Sequence, residues 1–337
     1  MENKQMGKQS FTFSNPPVIT AWACVAGKKE KEGPLAEYFD FTHKDTYFGQ
    51  KTWEQGEKRM QQMTLQTLAK KAGLIQAELG MVFSGDLLNQ CIGSSFTLRN
   101  TGIPHIGLYG ACSTMAESLL VASMAVGGGF RKQAVAMTSS HFASSERQYR
   151  FPLGYGGQRT PTAQWTVTGA GAALVCQNGV GPKITACTIG TVTDFGITDA
   201  NNMGAAMAPA ALATIKAHFS DLNTTPEDYD LIVTGDLGQL GKDILLTLAK
   251  EDGLEFGGKL ADCGTMVFDL KNQDVHSGGS GCGCSAITLC GYLLEQMKEG
   301  KYQKILFCGT GALLSPTSTQ QGLSIPGVCH AVCLEGG

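Results

Sequence analysis

Short apolar runs alternate with helix-period stripes along most of the chain, the pattern of an α/β protein. Leu65, Leu68, Ala69 and Ala72 fall on one helical face, and Gly73 closes that helix. A strand follows at 80–86, then an apolar run at 103–112 and a helix from Ser113 to Val126. Residues 133–140 read as a strand, 141–165 as a loop, and 169–179 as a further apolar strand segment. The order then repeats. Residues 184–192 are strand-like, and Ala208, Ala211, Leu212, Ile215 and Phe219 mark a helix. Thr225-Pro226-Glu227 is a start or turn signal before a strand at 230–236. Ile287, Cys290, Leu294 and Met297 form another helical stripe before a strand at 304–311.

The repetition extends to particular residues. Ser84-Gly85-Asp86-Leu87 matches Thr234-Gly235-Asp236-Leu237, and Gly110-Ala111-Cys112-Ser113 matches Cys282-Gly283-Cys284-Ser285. Each Cys-containing turn opens an apolar helix that leads to a strand. The second copy carries a longer insert between strand and Cys (236–284 against 86–112). These matches predict a duplicated α/β unit, with halves at 1–180 and 181–337.

Composition narrows the function classes. The net charge is −3 and the pI about 6.1, so nothing favours a nucleic-acid or polybasic membrane role. With 42% hydrophobic and 16% charged residues, the 337-residue chain has the makings of a large core. Its 44 glycines follow no collagen-like period and read as turns and close backbone approaches. Several of the twelve cysteines lie in apolar runs, such as Cys176 and Cys308, as buried free thiols do. The polar start lacks the apolar core of a signal peptide, and no apolar run is long enough to span a membrane. The expectation is a soluble protein of a reducing compartment.

Cys112 carries the candidate chemistry. It stands just before a predicted helix, where backbone N–H groups and the helix dipole favour a thiolate. The turn GLYGACSTMAESL resembles the nucleophile turn of ketoacyl synthases, and the duplicated pattern resembles the thiolase superfamily. That resemblance implies two βαβαβ halves in a layered α/β/α/β/α sandwich, related in fold to ketoacyl-acyl-carrier-protein synthase III. Condensing enzymes of that type need a His and an Asn beside the Cys. The matching positions here hold Gly235, and Gly281 or Ser280. A lone thiol without base or oxyanion donor lacks the usual machinery, so the reading is a non-catalytic relative with Cys112 as a relic nucleophile. The alternative is an acyl-CoA or acyl-carrier-protein condensing or transfer enzyme that pairs Cys112 with His141. His330 is a second possible partner.

The run TSSHFASSERQYRFPLGYGGQRTPTAQWTVTGAGA (138–172), with Cys112-Ser113-Thr114-Met115-Ala116-Glu117, is similar to a sporulation family of spore-forming bacteria associated with dipicolinic acid uptake. The resemblance implies a pocket for dipicolinate, a flat dicarboxylate that chelates Ca2+, lined by Cys112, Ser113, His141, Arg147, Arg150, Tyr155, Asp236 and Cys284. Helix N-termini, arginines and an aromatic wall suit such an anion. Arg159, Tyr149, Phe151 and Trp165 share the 141–165 stretch. Asp86 and Asp236 are placed to help with a cation, or to cap the turns that follow them. Ca2+ is expected only together with the ligand; no metal site of the chain's own is predicted. The resemblance further implies membrane subunits as partners, a peripheral place at the spore inner membrane, and a homodimer. The Cys282-Gly283-Cys284 spacing is wrong for a zinc ribbon, and no Lys-Ser/Thr follows the glycine-rich segments, which disfavours an NTPase.

Overall fold

A computed structural model of the chain describes residues 4–149 and 159–337. Among the described residues the main sheet has thirteen strands, ten of which form its continuous order: β1 (Val18–Ala26), β2 (Met81–Gly85), β3 (His105–Gly107), β4 (Gln133–Ser140), β5 (Gly169–Cys176), β6 (Lys183–Thr188), β7 (Leu231–Thr234), β8 (Leu260–Asp262), β9 (Lys304–Ala312) and β10 (Gly327–Glu335). Their hydrogen-bonded order is β8-β7-β9-β10-β6-β1-β5-β4-β2-β3. From the junction outwards the two sides correspond. On one side β1 and β4 both run antiparallel to β5, and β2 joins β4 and β3 in parallel. On the other, β6 and β9 run antiparallel to β10, and β7 joins β9 and β8 in parallel. The sides meet through the single pair Lys183–Val18.

Helices take the remaining layers. α1 (Trp53–Ala72) starts where the Thr52 hydroxyl accepts from the Gln55 N–H, and ends at Gly73 with φ +69°. It packs on β1 and β5, burying Leu65, Leu68 and Ala69. α4 (Met203–Leu222) covers β9 and β10 in the same way. Between the half-sheets lie α2 (Thr114–Gly127) and α5, a continuous run of Cys282–Ile287, a π-helical stretch Thr288–Leu293, and Leu294–Lys298. Met115 and Leu119 of α2 and Leu289 and Leu293 of α5 share one buried cluster with Phe83, Ala136, Phe307 and Val332 from the two half-sheets. The result is a layered α/β architecture with two corresponding halves, the arrangement the duplicated pattern predicts.

The inner helices begin so close to strands that side chains are excluded. A Cβ on Gly283 would sit 2.5 Å from the Gly169 carbonyl oxygen, and one on Gly311 would collide with the Gly110 carbonyl oxygen. These contacts seat the start of α5 against β5 and the turn before α2 against β9.

One expectation fails. Phe142–Tyr149 is a helix, α3, inside the stretch read as loop. Its buried positions are Ala143 and the polar Ser144, Ser145 and Glu146, so no apolar stripe announces it. The twelve cysteines are all free, and eleven are buried. Among the described residues no helix is long and apolar enough to cross a membrane.

Candidate functional site

A cleft opens where the starts of α2 and α5 meet α3. Cys112, Tyr109, Ser145, Glu146, Tyr149 and Thr166 line it, with Ser280, Leu87, Met203 and Leu314 completing the wall. The cavity is small, about 40 Å³. At its mouth Tyr109, 44% exposed, shares a 2.5 Å hydrogen bond with the Tyr149 hydroxyl, which also donates to the Leu87 carbonyl at 2.6 Å.

Cys112 follows Ala111, whose φ of +51° is strained for a residue with a Cβ. The helix start of α2 favours a thiolate, yet burial pushes the Cys112 thiol well above its ordinary range, and the Asp236 carboxylate beside it pushes it further. Those two effects outweigh the N–H of Gly281 and the Ser280 hydroxyl, which lower it. Cys112 is therefore a protonated thiol at neutral pH.

Asp236 is fully buried. It accepts from Thr310 Oγ1 at 2.9 Å, the Gly281 N–H at 2.8 Å and Ser280 Oγ at 3.1 Å. Burial raises its pKa in spite of these donors. Its sequence counterpart Asp86 is spent differently, accepting from the Leu88 and Ser94 N–H groups and the Ser94 hydroxyl. Asp86 thus caps the turn that follows it, while Asp236 faces Cys112.

Ser145 differs from every other polar group in the cleft. It is 2% exposed and its hydroxyl has no hydrogen-bond partner, a costly arrangement unless a ligand completes it. Ser145 and Tyr149 are four apart on α3 and present one face to the cleft.

The structure brings only part of the expected constellation together. Cys112 lines the cleft and Asp236 stands against it. Ser113 is buried, its hydroxyl donating to the Gly110 carbonyl. Cys284 lies in the main core. His141 donates from Nε2 to the Thr46 carbonyl at 2.7 Å and does not line the cleft; burial lowers its pKa and keeps it neutral. Arg147 is exposed, paired with Glu54 and set over the Trp53 ring. Arg159 pairs with Asp274 and lies over Trp165. His330 Nδ1 accepts from the Gly190 N–H. Arg150, Phe151 and Tyr155 lie outside the described residues. Among the described residues no three His, Cys, Asp or Glu side chains gather as a cation site. Ser145, Tyr109 and Thr166 also line the cleft though no sequence motif marks them; the i, i+4 spacing of Ser145 and Tyr149 is the one signal the sequence offers for this face.

Residues 7–335 match the family model described as stage V sporulation protein AD. The chain is 45% identical over 332 residues to the stage V sporulation protein AD of Bacillus subtilis (strain 168), covering 98% of each. Its fold is similar to that of 3-oxoacyl-(acyl-carrier-protein) synthase III from Aquifex aeolicus VF5, with a TM-score of 0.56, 14% identity, and 95% and 99% of the two chains covered. A variant of OleA from Xanthomonas campestris gives a TM-score of 0.56 at 12% identity, covering 98% and 99%. At these identities the structural likeness speaks for the fold alone.

Proposed function

The chain belongs to the stage V sporulation protein AD family, and from that premise we propose that it is a non-catalytic thiolase-fold protein that binds dipicolinic acid in the Cys112 cleft. It serves the dipicolinate uptake machinery of the developing spore, working with membrane subunits from a peripheral place at the spore inner membrane. The observation that carries the ligand site is the buried, unpartnered Ser145 hydroxyl beside Cys112 and Tyr149.

Several features support this over acyl transfer. The Cys112 thiol is held protonated by burial and Asp236. His141 is committed to Thr46 away from the cleft. By resemblance, Gly235, and Gly281 or Ser280, occupy the positions where a condensing enzyme has its His and Asn, and none of them offers an imidazole or amide. The described cleft residues include no cation, and Asp236 stands behind Cys112. A dianion is best received there with its charge already matched, which favours dipicolinate entering with Ca2+. Arg150 and Tyr155 are proposed as further contacts. A planar ring enters this narrow cavity when the Tyr109–Tyr149 pair parts. The strand β3, which ends the sheet with Ile106 47% exposed, supports a homodimer formed through that edge.

Calorimetric titration with dipicolinate, with and without Ca2+, tests the reading against pyridine-2-carboxylate. Saturable binding that requires both carboxylates is expected. Absence of heat from folded protein overturns it. A stable acyl adduct after incubation with acetyl-CoA, lost in Cys112→Ser, would restore the enzyme.

A further inference from the structure

The glycines Gly127, Gly128 and Gly129 end α2 and lead into Phe130-Arg131-Lys132. Phe130 is 78% exposed, although a ring of that size is ordinarily covered. It is not on a slack loop. The Arg131 N–H is bonded to the Ala125 carbonyl, and the Arg131 guanidinium to the Phe130 carbonyl at 3.2 Å. Phe130 shares an apolar groove with the exposed Met124 and Ile189 and with Phe11 and Phe13. The rim of that groove carries Lys4 and Lys8 of a terminal hairpin (Lys4–Met6 with Ser10–Thr12).

We propose that this surface docks on an anionic lipid bilayer, with Phe130 entering the headgroup boundary and Lys4, Lys8, Arg131 and Lys132 meeting lipid phosphates. The inference rests on the peripheral-membrane part of the proposed function and is independent of the ligand cleft. Charge complementarity selects the occupant. The chain as a whole is net negative, yet Lys4 and Lys8 line this groove and Arg131 and Lys132 follow Phe130 directly in the chain; all four are exposed, and among the described residues none of them is in an ion pair. Asp221, the carboxylate against the hairpin, is occupied by the N–H groups of Lys8, Gln9 and Ser10 and by the Ser10 hydroxyl. An exposed apolar tip with cations beside it in the groove and next to it in the chain is the arrangement that interfacial binding uses.

Flotation of the full chain with vesicles of equal parts phosphatidylglycerol and phosphatidylcholine tests this, with pure phosphatidylcholine as control. Binding to the anionic vesicles alone is expected, weakening as salt is raised. Arg131→Glu with Lys132→Glu lowers partitioning by about tenfold or more, and Phe130→Ala lowers it about fivefold or more. Both changes are at exposed positions, and dipicolinate titration of the same variants checks that the cleft is intact. Failure to float, or flotation indifferent to these substitutions, overturns the proposal and leaves the groove to a protein partner. Dipicolinate binding that persists in that case would leave the ligand reading standing.

Discussion

The thiol of Cys112, which lines the cleft, is backed by the buried carboxylate of Asp236, one from the turn before α2 and the other from the turn after β7. Burial and a neighbouring anion both act against the thiolate, so the residue that resembles a nucleophile is held as a neutral thiol. Asp236→Asn removes the anion and leaves the burial. The Cys112 pKa should fall, and its alkylation by iodoacetamide near pH 8, read by peptide mass, should quicken with the thiolate fraction, about tenfold where the pKa drops by one. An unchanged rate would mean that burial alone sets the thiol.

On the proposed dipicolinate reading, Ser145 separates ligand binding from stability. Because its hydroxyl has no partner in the ligand-free protein, Ser145→Ala should leave the melting temperature unchanged or slightly raised. Dipicolinate affinity should drop about fivefold to tenfold, the worth of one hydrogen bond of about 1 kcal/mol. A fall in thermal stability with no change in affinity would make Ser145 structural.

What the sequence made legible, and what it did not, follows from the physics of each residue. Cys112 was legible because a turn glycine, a small residue and a helix start must adjoin it for the chain to bend there. The paired Thr-Gly-Asp and Ser-Gly-Asp turns announced the repeat, yet Asp86 and Asp236 ended in different roles because Asp86 has Ser94 to cap and Asp236 has the α5 turn and Cys112. Arg147 looked like an anion contact among aromatics, but a helix fixes its direction and Glu54 on α1 was waiting beyond it. Strand β10 has no polar alternation to betray it, since it is buried on both faces within the sheet.

Glu30 links the fold to pH. It is 1% exposed, its Oε1 accepts from the Thr168 N–H at 2.9 Å, and its Oε2 has no partner. Burial raises its pKa from the ordinary 4.5 to about 7. With the folded value above the unfolded one, its contribution is fully present below pH 4.5 and is lost as pH rises through about 7. Glu30→Gln keeps the acceptor and removes the titration. Relative to the unsubstituted chain, its stability in urea should be little changed at pH 4.5 and higher at pH 8, by at most about 3 kcal/mol. A pH-independent difference would refute the assignment.

Gly235 and Gly281, which the resemblance to condensing enzymes aligns with a His and an Asn (Ser280 being the other match for the Asn), leave little space for side chains, and this bears on whether such chemistry can be built into the cleft. Gly281 has φ +98°, and a Cβ there would sit 2.6 Å from Ser140 Oγ. At Gly235 a Cβ would sit 3.0 Å from the Thr310 backbone nitrogen, which cannot move without disturbing β9. Gly281→Asn therefore combines a disfavoured backbone with a clash and should cost about 2–5 kcal/mol, measured as a shifted urea midpoint. Gly235→His costs less, since its Cβ would meet Thr310 and Gly309 at 3.0–3.3 Å and needs β9 to give by a few tenths of an ångström. The double substitution should give no acyl transfer from acetyl-CoA, because the space a His and an Asn need is filled by Ser140 and Thr310 and Asp236 still holds the thiol protonated. A stable double variant that becomes acylated on Cys112 would show instead that the scaffold kept room for the reaction and lost only its side chains.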